Sequence, residues 1–266
     1  MELTIGWLYP SLMSTYGDRG NVICLQQRAQ WRGISVQVIP LDQQTTAAEI
    51  HKVDVLMGGG AQDRQQELVM RDLRGIKAET LREKIEAGTP GVFTCGAPQL
   101  LGHYYEPARG QRIEGLGLFD LVSKHPGSDT RRCIGNIVFR LTASRLEQEL
   151  EAMMGTKPLV IGFENHGGRT YLGKVEPLGR VLKGYGNNGK DGTEGAFYRN
   201  AIATYSHGPL LPKNPFLADW LIQTALTQKY QTTVSLEPLD DTLAMQAREA
   251  MLKRLSLTHL CKEPVS

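Results

Sequence analysis

The fold is decided by one stretch, Gly91-Val92-Phe93-Thr94-Cys95-Gly96-Ala97-Pro98-Gln99-Leu100-Leu101-Gly102. Val92, Phe93 and Thr94 are β-branched or aromatic, the residue types that a buried strand prefers. Cys95 stands where that strand must end. Gly96 and Ala97 are small enough for a sharp turn, and Pro98 suits the first turn of a helix. The stretch therefore predicts a strand, a tight corner and a helix, with Cys95 on the corner. A nucleophile placed there is held up from the end of a sheet beside helix-start N–H groups, which favour a thiolate. A buried structural cysteine fits the same residues, because free cysteine is among the most buried types. Taken alone, the stretch leaves both readings open.

Moving outward, strand and helix signals alternate. Strands are expected at Leu3–Leu8, Ser35–Ile39 and Val53–Met57, with helices at Asn21–Trp31, Ala47–His51, Asp63–Arg74 and Glu79–Ala87. Such alternation predicts a parallel sheet covered on both faces. The working site of such a sheet lies at the carboxyl ends of its strands. There the turn-rich Tyr9–Gly20 segment, the Gly58-Gly59-Gly60 run and the Cys95 corner would meet. The glycine run lacks a following Gly-Lys-Ser/Thr, which argues against a phosphate loop and for an oxyanion donor opposite a cysteine. Further along, Gly115–Phe119 and Gly135–Leu141 read as strands of a more antiparallel region, with Arg131 and Arg132 between them as a solvated charged turn. Later strands are expected at Leu159–Phe163, Ala196–Tyr198 and Ala201–Tyr205, and helices at Phe216–Tyr230 and Leu243–Leu255. One domain is expected over 1–255, with 240–255 a C-terminal helix and 256–266 a loosely ordered tail.

Composition narrows the function classes. The chain has 266 residues, 41% hydrophobic and 22% charged, with a net charge of +2. These are values of an ordinary soluble protein, and the near-zero charge argues against binding nucleic acid through bulk electrostatics. No long apolar run and no basic-plus-apolar leader stand out, so a cytoplasmic protein without a transmembrane span is expected. Cys24, Cys95, Cys133 and Cys261 show no CxxC or metal-type spacing, which predicts free thiols and no metal site.

A cysteine nucleophile needs a base, usually histidine. His51, His125 and His259 lie in polar surroundings and read as surface residues, and His103 is ambiguous. His166 and His207 each follow a strand and precede glycine. His207 comes directly off the 201–205 strand, which allows it to reach the same sheet edge as Cys95.

Phe93-Thr94-Cys95-Gly96 together with Thr204-Tyr205-Ser206-His207-Gly208 resembles the cobyric-acid-synthase-like branch of class I glutamine amidotransferases. Gly162–Thr170 is similar to a signature of that branch. Tyr16–Asn21, Gly58–Arg64, Glu164–Thr170, Gly184–Asn188 and Ser206–Asn214 further resemble the GatD type, the amidotransferase subunits of lipid II isoglutaminyl synthases, from about Leu3 to Arg254. The resemblance implies an α/β, flavodoxin-like fold with a central, mostly parallel sheet flanked by helices. It implies hydrolysis of L-glutamine, with Cys95 as nucleophile, His207 as its base, Arg132 holding the substrate and Asp18 as a third catalytic member. A guanidinium fork suits the α-carboxylate of glutamine, and Arg131 is the neighbouring alternative. Loop geometry points to N–H groups at Gly60 and Gly96 as oxyanion donors. The implied partner is a MurT-type, Mur-ligase-like synthetase that uses ATP and Mg²⁺ to amidate the D-glutamate α-carboxyl of lipid II. No cofactor is expected in this chain.

Two positions depart from the wider class. Phe93 replaces the glycine two before the nucleophile, and Pro209 replaces the glutamate two after the histidine. The orienting carboxylate must therefore come from elsewhere, and Asp18 and Glu164 are the candidates. Three other readings stand beside this one: a glutaminase subunit for another ATP-dependent amidation such as that of cobyrinate, a catalytically silent docking subunit, and an unrelated thiol protein with a cysteine corner.

Overall fold

The computed structural model describes residues 1–127 and 129–262. Ser128 and residues 263–266, the end of the tail expected to be loose, lie outside the described residues. In chain order the elements begin β1 (Glu2–Leu8), α1 (Arg19–Gln30), β2 (Ser35–Leu41), α2 (Ala47–His51), β3 (Val55–Gly58), α3 (Asp63–Asp72), α4 (Ile76–Glu86), β4 (Gly91–Thr94) and α5 (Gly96–Leu101). They continue with β5 (Tyr104–Glu106), β6 (Ile113–Glu114), β7 (Leu121–Lys124), β8 (Cys133–Leu141), α6 (Ser144–Met154), β9 (Leu159–His166), β10 (Arg169–Leu172) and β11 (Gly179–Lys183). The last are β12 (Thr193–Glu194), β13 (Ala196–Tyr198), β14 (Ala201–Thr204), β15 (Ser206–His207), α7 (Leu210–Lys213), α8 (Pro215–Tyr230) and α9 (Thr242–Arg254).

The central sheet has the order β13-β14-β4-β3-β1-β2 and is parallel except for β13. Its side chains alternate faces, as pleated strands require. Val55, Met57 and Val92 join one apolar cluster with Val22 and Leu25 of α1 and Leu217 and Leu221 of α8. Leu56 and Phe93 join the other, with Val69 of α3, Ile85 of α4 and Leu100 of α5. Helices thus cover both faces. Among the described residues, no helix is long and apolar enough to cross a membrane.

The middle of the chain builds two further sheets. One runs β10-β7-β5-β6, the other β12-β11-β8-β9-β15 and is antiparallel throughout. The expected strand at Gly115–Phe119 does not form. Gly117 adopts a positive φ of 59°, and the N–H groups of Leu118 and Phe119 turn to the Leu101 carbonyl at the end of α5. The strands lie on either side, at 113–114 and 121–124. Within the stretch expected to be loose, Thr258–Lys262 forms a 3-10 turn, and Leu257 and Leu260 pack on a cluster with Leu252.

Asn214 ties the antiparallel sheet to the helical layer. It is wholly buried, donates from Nδ2 to the carbonyls of Ile161 and Leu210 at 2.8 Å each, and accepts at Oδ1 from the Ile161 N–H at 3.0 Å and from Arg248. Leucine has a similar shape and none of these partners. Asn214→Leu is expected to destabilise the protein by about 2–4 kcal/mol, the cost of stranding buried polar groups. It would appear as a lower midpoint of urea unfolding with an unchanged slope.

Candidate active site

Cys95 sits on the corner between β4 and α5 with φ 54° and ψ −96°, a backbone conformation that side-chain-bearing residues rarely adopt. Such strain costs about 1–3 kcal/mol. The surroundings hold it: the Cys95 N–H donates to the Thr204 carbonyl at 2.8 Å, and Phe93, two residues earlier, is fully buried against Phe119. Burying a phenylalanine contributes about 1.5–3 kcal/mol, enough to offset the strain. Room for Phe93 comes from two glycines, since a Cβ on Gly58 or Gly91 would approach its ring to 3.0 Å. That is why the corner tolerates Phe93 where glycine is usual in the class.

His207 arrives by a change of sheet. The chain leaves β14 of the central sheet, turns at Tyr205, and enters β15, where His207 registers with Phe163 of β9. The ring is fully buried. Its Nδ1 lies 3.0 Å from Asp18 Oδ1, and Asp18 Oδ2 accepts the Gly60 N–H at 2.7 Å. Asp18 occupies the N-cap position of α1, yet its side chain makes no capping bond because both oxygens serve the site. Among the described residues, no nitrogen or oxygen partners His207 Nε2, and the side chain that acts on the ring besides Asp18 is Cys95. A Cβ on Gly60 would lie 2.9 Å from His207 Cε1 and 3.3 Å from Cys95 Cβ, so the close approach of cysteine and histidine requires glycine there. Burial pushes the imidazole pKa down, but the Cys95 charge and the Asp18 hydrogen bond outweigh it, and the value rises to about 10. The Tyr16 ring lies nearly perpendicular to that of His207, with centroids 5.1 Å apart.

Cys95 opens into a cleft of about 560 Å³. Arg132 lines it, exposed, with Nε donating to Asn165 Oδ1 and Nη2 to the Asn165 carbonyl, both at 3.0 Å. Arg131, the alternative, turns its carbonyl to Arg169 Nη2 at 2.8 Å. Beneath the cleft, Gln66 Nε2 donates to Gln99 Oε1 at 2.8 Å and to the Ala61 carbonyl at 3.1 Å, and Gln99 Nε2 donates to the Tyr205 hydroxyl at 3.1 Å. His166 stacks on Tyr205 with ring centroids 3.7 Å apart, and burial lowers its pKa.

Three expectations are corrected. The Gly60 N–H is committed to Asp18, so it holds the carboxylate in place and does not face the cleft as an oxyanion donor. Its neighbour Ala61 runs close beside the corner, since a Cβ on Gly96 would lie 2.7 Å from the Ala61 nitrogen. Glu164 orients no part of His207. It accepts the Tyr185 and Gly186 N–H groups at 2.6 and 3.0 Å and lies 3.5 Å from His166. His125 is not a surface residue but a half-buried part of the cleft wall. Sequence reasoning also passed over Tyr16, Asp63, Gln66 and Gln99. One signal was available, since Gln99 follows Cys95 by one helical turn and Gln66 follows Asp63 by three residues, each pair sharing a helix face.

These features define a cysteine–histidine–carboxylate site on an α/β corner. Residues 4–215 match the CobB/CobQ-like glutamine amidotransferase domain, and the chain belongs to that family. It is 38% identical over 255 residues to the lipid II isoglutaminyl synthase (glutamine-hydrolyzing) subunit GatD of Staphylococcus aureus, covering 95% of this chain and 96% of that one. To the GatD subunit of Streptococcus pneumoniae it is 36% identical, covering 93% and 90%. The glutaminase domain of Trypanosoma brucei CTPS, solved with acivicin bound, superposes with a TM-score of 0.53 over 88% of this chain and 96% of that one. Its identity is 10%, a likeness of fold alone.

The electrostatics make a titration prediction. His207 binds a proton in the folded state at pH values where the unfolded chain, near 6.5, has released it. The stabilisation is therefore complete below about pH 6.5 and lost as pH climbs through about 10. Asp18→Asn and Cys95→Ala each remove one raising influence, so NMR titration of the His207 ring should give a lower pKa in both variants than in the wild type.

Proposed function

We propose that this chain is the glutamine-hydrolysing subunit of a lipid II isoglutaminyl synthase. The observation that carries the reading is the His207–Asp18 pair held beside Cys95 at the end of the central sheet. Near end-to-end similarity to the GatD subunits supports the choice of reaction. The layering of helices on the central sheet is read as the flavodoxin-like arrangement of class I amidotransferases.

The chemistry follows from the site. Arg132 binds the α-carboxylate of L-glutamine as a fork on a carboxylate. Cys95 Sγ attacks the side-chain amide carbon, a C–S bond forms, and negative charge moves to the amide oxygen. The N–H groups of Gly96 and Ala61 receive that charge. His207, its proton held by flanking negative charge, gives that proton to the departing nitrogen. The C–N bond breaks, ammonia leaves and a γ-glutamyl thioester remains. Water then attacks the thioester with His207 as base, releasing glutamate and restoring Cys95. Asp18 keeps the ring oriented throughout, the part a carboxylate plays in such triads.

Ammonia passes to a MurT-type, Mur-ligase-like subunit in the cytoplasm. That partner holds ATP and Mg²⁺ and converts the D-glutamate α-carboxyl of lipid II to D-isoglutamine. This chain itself carries no cofactor.

The test is an ammonia-release assay on L-glutamine, with and without the ligase subunit. Cys95→Ser should abolish release, and Asp18→Asn should lower kcat by about 10²- to 10⁴-fold, the span of a general acid–base contribution. Equal glutamate production by wild type and Cys95→Ser would overturn the assignment.

A further inference from the structure

One wall of the cleft has chemistry that the mechanism above leaves unused. Gln66 is 1% exposed and lines the cleft with Cys95. Both hydrogens of its Nε2 are spent, on the Ala61 carbonyl and on Gln99. Its Oε1 is buried and has no hydrogen-bond partner among the described residues. A stranded carbonyl oxygen costs about 1–3 kcal/mol, and it can only accept, so whatever satisfies it must bring a donor. Thr15 Oγ1 is also unpaired among the described residues at the cleft, but a hydroxyl can rotate to donate and needs no incoming hydrogen.

Asp63 lies three residues before Gln66, on the same face of α3. It too lines the cleft, and one of its oxygens, Oδ1, accepts from the Tyr105 hydroxyl at 3.1 Å. Its full negative charge exceeds the roughly half positive charge of the helix end on which it sits. Arg64, also at the cleft, is exposed and screened by water and salt. His125 lines the cleft between these groups: burial lowers its pKa, Asp63 raises it, and Arg169 and Arg132 lower it, which sets the carboxylate and the guanidinium side within electrostatic reach of one ring. The cleft is therefore dipolar, with an acceptor wall on α3 and a guanidinium on the side of β8.

We propose that Asp63 and Gln66 form the α-ammonium subsite for the amino-acid substrate, opposite the carboxylate clamp of Arg132. The inference rests on the glutaminase reading. Asp63 supplies the charge and Gln66 Oε1 a second acceptor. The substrate is fixed at three points: carboxylate, ammonium, and the carboxamide at Cys95. An amide that lacks the α-amino group leaves both acceptors unpaired, and sites built this way discriminate strongly.

The experiment uses the full chain with its ligase subunit and compares L-glutamine with glutaramate, which is glutamine without its α-amino group, by ammonia release. The wild type should prefer glutamine in kcat/KM by about 100-fold or more. Asp63→Asn keeps an oxygen for Tyr105 and removes only the charge, and Gln66→Met keeps the volume and removes the acceptor. Each should reduce the preference about 10- to 100-fold, the loss of one hydrogen bond to a charged group, chiefly through KM for glutamine. A role confined to packing would lower both substrates alike and leave the ratio unchanged, which overturns the subsite. Comparable hydrolysis of the two amides by the wild type also overturns it, without recourse to any variant. A wild-type complex that releases no ammonia from glutamine sinks the glutaminase reading itself.

Discussion

The site hangs on a single buried carboxylate. Asp18 is 4% exposed, and an ionised carboxylate removed from water is costly unless charge and hydrogen bonds compensate it. Its two oxygens find the Gly60 N–H and His207 Nδ1. These three residues come from the start of α1, the loop after β3 and the strand β15. Displacing any one of them leaves a buried charge or a buried imidazole unpaired. The same bond that orients the histidine therefore locks three carboxyl-end loops of the central sheet together, and local geometry inherits the rigidity of the fold.

His207 also marks where two sheets meet. The chain leaves the central sheet at Thr204 and joins the antiparallel sheet two residues later. Glu194 supports that crossing from behind, with Oε1 accepting the Thr204 hydroxyl at 2.6 Å and the Tyr205 N–H at 2.8 Å. Complete burial pushes its carboxyl up to about 7, only partly countered by those bonds. The elements absent from a plain doubly wound sheet are thus the ones that bring His207, Asn165 and Arg132 around Cys95.

How much of this was legible depended on sequence distance. The strand, corner and helix around Cys95 were readable because small residues, β-branched residues and a proline fall in immediate succession, and local sterics decide such a turn. The alternation of elements through β4 was readable for the same reason. The two-residue strand at 206–207 was not, because its only cause is pairing with β9, more than 40 positions away. Asp18 and Arg132 were reached through resemblance, since neither sits in a pattern whose period betrays it. Glu164 was a fair rival to Asp18 in sequence. Register settled the matter, because Glu164 pairs with Ser206 and its carboxylate is taken by the Tyr185 and Gly186 amides.

The two departures from the class become intelligible as exchanges of position. Phe93 fills the place of a glycine, and the space it needs is opened by Gly58 on its register partner strand and by Gly91 on its own. Pro209 fills the place of a glutamate, and it packs where only glycine fits, since a Cβ on Gly20 would lie 2.5 Å from its ring. Gly20 is two residues from Asp18 on the opening turn of α1. The Gly20–Pro209 contact thus brings the start of α1 against the turn after His207. His207 thus has a carboxylate at Nδ1, and that carboxylate is carried by a helix start that Pro209 itself helps to seat.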